Sequence, residues 1–132
     1  MSVNSANILK VRDLILAHPD HFDMAYFGFN KETMSINVHG IEENRCGTVA
    51  CIAGWAAIAA DRQDAIYDGC VMEVAADFFG LDLDVARTLF LPGEDDGMTF
   101  NQTERAYAAT PRQAAHVLET LAKTGEINWR DI

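Results

Sequence analysis

No apolar run in this 132-residue chain is longer than the 12 residues from Val49 to Ala60. A helix needs about 20 such residues to cross a bilayer, so a membrane span is excluded and a buried core helix is indicated. Basic residues are also scarce: 10 Lys and Arg stand against 20 Asp and Glu, a formal net charge of -10. A surface of that sign repels phosphate backbones, and there is no basic stripe, so direct binding of DNA or RNA is not expected. Cysteine is limited to Cys46, Cys51 and Cys70. An odd count, in a chain whose first residues lack the basic and apolar regions of a secretory signal, predicts reduced thiols and a cytoplasmic protein rather than a disulfide framework. The Walker motif, the dinucleotide glycine fingerprint, the serine elbow and the HExxH pair are all missing, so no cofactor is expected and ordinary cofactor enzymes lose their support.

With 49% hydrophobic residues, the chain can bury a core of its own and is read as a single globular domain over 1–132. Helical patterning dominates. Asn4 or Ser5 caps a helix to about Ala17, with Ile8, Val11 and Ile15 at helical spacing, and Pro19 stops it at His18. Residues 21–30 are aromatic without period and read as irregular. Met34, Ile36 and Val38 alternate with polar residues before Gly40, predicting a small β-hairpin from about Thr33 to Arg45. Thr48 reads as the N-cap of a helix to Ala60 that is apolar nearly all round and therefore central to the fold. On it Ala50, Ala53, Gly54, Ala57 and Asp61 form a stripe of little volume that another helix can approach closely, while Cys51, Trp55 and Ile58 form a bulky face. Gly54 costs about 1 kcal/mol against alanine in a helix interior, which points to a backbone contact or a rigid packing constraint there.

Val71–Phe79, ended by Gly80, and a helix from Leu81 through Leu89 and Phe90 to Pro92 make a helix pair whose acids, Asp82 and Asp84, rule it out as a DNA reader. Asn101 with Glu104 resembles a capping box for a short helix through Tyr107. Thr110 with Gln113 is a second box, opening a helix with an Ala114, Val117, Leu118, Leu121 and Ala122 stripe and Gly125 at its end. Trp129 is expected to fold back onto the core. The predicted architecture is mainly α, a helical bundle of five or six helices around a buried central helix, with one small hairpin.

Three sets of residues are candidates for function. Cys46 and Cys51 lie just before and in the first turn of the central helix, where the dipole lowers a thiol's pKa, and with His39 they could form a thiol enzyme. The same two thiols with His18 and His21 give a zinc-compatible donor set, although a five-residue separation is longer than the usual structural Cys pair. Plain core packing accounts for buried cysteines equally well. The third set is electrostatic. Residues 61–96 hold ten acids against two bases, and so carry -8 of the -10; Asp82, Asp84, Glu94, Asp95 and Asp96 among them are the candidate interaction residues. An acidic face of this kind suits a basic protein partner or a solvated surface. A small-molecule pocket lined by Trp55 and the aromatics of 22–29 is a further possibility. His116, opposite the apolar stripe of its helix, reads as a surface residue.

The run Cys46-Gly47-Thr48-Val49-Ala50-Cys51-Ile52-Ala53-Gly54-Trp55-Ala56 resembles the Cys-Gly-Thr-x-x-Cys-x-Ala-Gly-Trp-Ala signature of small bacterial and phage-borne proteins of unassigned function. Residues 18–24, the Gly80-Leu81 helix pair and the stretch from Thr110 to Trp129 are similar as well, so about half the chain is covered. The resemblance implies an organisation, without an activity, cofactor or catalytic residue, and singles out Cys46, Thr48, Cys51, Gly54 and Trp55. The best-supported function is a non-enzymatic acidic interaction domain, with a thiol enzyme, a Cys/His metal protein or a small-molecule-binding domain as the alternatives.

Overall fold

A computed structural model of the protein describes residues 3–36, 47–93, 98–130 and 132. Asn4 caps α1 (Ser5–Ala17) by accepting the Asn7 N–H at 3.1 Å, and Ile8, Val11 and Ile15 are fully buried along one side. The His18 N–H closes the last turn on the Leu14 carbonyl, and Pro19 diverts the chain into a 3-10 turn, Pro19–His21. A loop then runs to β1 (Phe29–Asn30), which pairs antiparallel with β2 (Thr48–Val49) in the register Phe29 to Val49 and Asn30 to Thr48. The helices that follow are α2 (Ile52–Ala59), α3 (Asp64–Asp68), α4 (Val71–Phe79), α5 (Leu83–Phe90), α6 (Phe100–Tyr107) and α7 (Pro111–Thr124).

The mainly helical fold with one small sheet is as expected, and so is the central place of α2. All seven residues from Ile52 to Ile58 are buried, and α1, α3, α4 and α5 pack around them. One apolar cluster runs from Ile8 to Trp129. α1 meets α7 most extensively: the Ser5 hydroxyl donates to the Ala122 carbonyl at 2.9 Å, and Arg12 lies 3.5 Å from Glu119. The start of α1 also closes the end of α4, where the Asn4 N–H and the Asn7 side-chain amide donate to the carbonyls of Phe79 and Phe78. These carbonyls would otherwise have no partner at a helix terminus. The α4–α5 pair turns through Gly80 at φ +71°, with the Phe79 and Phe90 rings 6.0 Å apart. Trp129 does fold back, buried, and donates its indole N–H to the Leu89 carbonyl at 3.1 Å.

Five details depart from the sequence reading. There are seven helices among the described residues, because α3 is only five residues long and too short for periodicity to reveal it. Thr48 does not cap α2: it is extended in β2 with its hydroxyl turned to His21, and Cys51 takes the N-cap position. The described sheet pairs residues 29–30 with 48–49, to either side of the hairpin expected over 33–45. Asn30 bridges Ser35 across a tight turn in which Met34 has φ +54°, leaving Met34 and Ile36 exposed; residues 37–45 of the expected hairpin lie outside the described residues. The box of α6 is Thr99 with Gln102, not Asn101 with Glu104, since the helix begins at Phe100 and leaves Asn101 inside its first turn. Finally, what approaches the stripe at Gly54 is a loop and not the expected helix. A Cβ there would overlap the Phe27 carbonyl oxygen and lie 2.9 Å from the Phe27 carbonyl carbon, so a loop backbone fills the close approach. The Thr110 and Gln113 box of α7 and its Gly125 C-cap at φ +77° are found as expected.

Two glycines test this packing. Alanine at Gly54 gains about 1 kcal/mol of helix propensity, yet must displace the Phe27 backbone, and overpacking of that kind costs about 1–3 kcal/mol or more. Gly69, at φ +80° with open space around it, pays only the left-handed strain of about 1 kcal/mol. Thermal unfolding is expected to place Gly54→Ala below Gly69→Ala. The reverse order would mean that the loop does not rest on α2.

Candidate functional site

Of the residues singled out in sequence, His18, His21, Thr48, Cys51, Gly54 and Trp55 meet where the 18–30 segment lies across the N-terminal half of α2. The His21 carbonyl accepts two bonds, from the Ala50 N–H at 3.0 Å and from the Trp55 indole N–H at 3.1 Å. The Asp23 N–H returns a bond to the Ala50 carbonyl at 3.1 Å, and the Cys51 N–H donates to the Tyr26 carbonyl at 2.7 Å. The His21 ring is buried, and its Nδ1 lies 2.6 Å from the Thr48 carbonyl and 3.2 Å from the Thr48 hydroxyl. A carbonyl only accepts, so Nδ1 carries the proton and the other ring nitrogen is the basic one in the neutral imidazole. His18 stacks on Trp55, with ring centroids 5.4 Å apart and planes 13° from parallel. Loop, sheet and helix are thereby tied together at one buried indole.

Cys51 sits inside this knot. It is buried at the N-cap of α2, and two effects compete for its thiol. Burial raises the pKa; the backbone amides of Gly54 and Ala53 lower it. Burial wins, and the thiol is pushed up from the ordinary 9.0 to about 11. At neutral pH the thiolate is then roughly one part in ten thousand, the opposite of an activated nucleophile. Cys46 and His39, the other two members of the expected catalytic group, lie outside the described residues. So does one thiol of the expected metal set. Of the rest, His18, His21 and Cys51 all gather about Trp55, but His21 Nδ1 is engaged by Thr48 and the Cys51 thiol is neutral. Among the described residues no three His, Cys, Asp or Glu side chains converge to hold a metal ion.

The aromatic segment does not build a pocket around Trp55, which is wholly enclosed. A shallow groove of about 240 Å³ lies instead outside it, lined by Tyr26, Phe27, Phe29, Ile36 and Ile66, with the Tyr26 and Phe29 rings stacked at 4.7 Å. Lys31 lies over the Tyr26 ring and pairs with Asp23 at 3.0 Å. A larger cleft of about 490 Å³ lies between Thr88, Met98 and the 126–130 segment, and its lining includes Glu126 and Arg130 but no cysteine or histidine.

The acidic third of the chain is disposed differently. Asp61, Asp64, Asp68, Glu73, Asp77, Asp82 and Asp84 are all exposed. Asp82 stands at the N-cap of α5 and Asp84 in its first turn, where negative charge is favoured by the helix dipole. Only Asp64 of these seven has an ion-pair partner among the described residues, Arg62 at 3.0 Å, whose hydrogen bonds hold the carboxyl below its ordinary range. Glu94, Asp95 and Asp96 lie outside the described residues. His116 is exposed, as its place on α7 predicts. No described helix is long and apolar enough to cross a membrane. Comparison with known proteins found no matching family model, no similar curated protein and no similar solved structure.

What sequence reasoning missed is the shared role of His21, Thr48 and Trp55. Each drew a separate reading, as ligand, cap and core anchor. The available signal was their chemistry: two polar groups and an indole N–H, all destined for burial, must find one another or the backbone.

Two measurements follow from the thiol. On alkylation of the folded protein at pH 8, half-buried Cys70 is expected to react well before Cys51, which is modified only on unfolding; early modification of Cys51 would show an accessible thiolate. The second is linkage. The folded state holds the Cys51 proton up to about pH 11, whereas the unfolded thiol loses it near 9.0, so the unfolded state binds fewer protons between these values. This stabilisation is fully present below pH 9 and declines by roughly 2–3 kcal/mol as pH rises to 11. Denaturant unfolding across that range should show a flatter pH dependence in Cys51→Ala than in the parent.

Proposed function

We propose that this chain is a non-enzymatic acidic interaction domain that offers the surface of α3, α4 and α5, together with Glu94, Asp95 and Asp96, which follow in sequence, to a basic protein partner. The observation that carries this reading is the exposure of all seven acids between Asp61 and Asp84, six of them without a cation in bridging distance among the described residues. Exposed carboxylates without a paired cation contribute little to folding and leave a negative field free to steer a partner. The groups that could support thiol or metal chemistry support the opposite emphasis, because His21, Thr48, Cys51 and Trp55 are buried and occupied in joining the loop to α2. Kinship with the small bacterial and phage-borne proteins that share the Cys-Gly-Thr-x-x-Cys-x-Ala-Gly-Trp-Ala pattern is proposed on that motif. In this reading the motif is a folding element: Gly54 admits the loop, Trp55 and Cys51 anchor it.

The test is an affinity purification of the tagged chain from its native source, run beside a charge variant. Asp84→Lys, Asp95→Lys and Asp96→Lys reverse charge, while Asp82→Asn removes it and keeps a residue suited to the N-cap. A basic protein recovered by the parent, lost by the variant and released as salt rises is the expected result. Equal recovery by a variant that retains the parent's circular dichroism and melting temperature would overturn the acidic-face reading.

A further inference from the structure

We draw no further inference here: the strongest candidate, the shallow apolar groove beside the stacked Tyr26 and Phe29 rings, lined also by Ile36 and Ile66, carries nothing because nothing in the structure shows what covers it.

Discussion

The fold depends on a loop backbone being able to touch a helix backbone. Gly54 is the contact point. With no Cβ on that face of α2, the Phe27 carbonyl can settle against the helix; with it come the Tyr26 carbonyl onto the Cys51 N–H and the His21 carbonyl within reach of both Ala50 and Trp55. These bonds are individually modest, about 1 kcal/mol each in net terms. Their weight comes from the penalty of losing them: a displaced loop would leave buried amides and an indole N–H without partners, each costing about 1–3 kcal/mol. The helix propensity given up at a mid-helix glycine is small beside that sum.

The same contact explains why a helix so apolar can be central in a small protein. α1, α4 and α5 cover parts of α2, and its remaining side would face solvent if it were not closed by the 18–30 segment. A loop is an unusual lid for an apolar helix, because its own backbone groups must be satisfied once water is excluded. Here the polar side chains His21 and Thr48, the two-residue strand pairs and the indole of Trp55 meet that requirement together. His21 and Thr48 are thus explained as partners for buried backbone, without appeal to catalysis.

How much of this was legible in the sequence follows the range of each interaction. α1, α4, the start of α7 and its glycine end were readable because caps, apolar spacing and left-handed glycines act within a few residues. Where two local signals competed, the nearer to the helix start won, as when Thr99 and Gln102 displaced Asn101 and Glu104. Gly54 announced a close approach but not by what, since the identity of the approaching Phe27 is set 27 residues away along the chain. Thr48 was misread for the same reason. Its neighbours suggest a cap, while its partners, Asn30 in the sheet and the His21 ring, are long-range. His18, His21, Thr48, Cys51 and Trp55 stood out one by one and their meeting did not, because sequence spacing does not report which buried groups satisfy one another.

Cys51 shows how far position alone misleads about chemistry. At a helix N-terminus the amides and the dipole favour a thiolate, and in an exposed setting they lower the pKa. Burial opposes them, and desolvating an anion in an apolar interior is the larger effect, so the same residue is pushed up from the ordinary 9.0 to about 11. The acids at the surface experience the reverse balance. Water solvates them at little cost, few cations neutralise them, and their charge projects outward. Polar groups in this molecule therefore divide by depth: those inside are consumed by the backbone they hold, and those outside keep their charge available. The proposed interaction role rests on the second group alone.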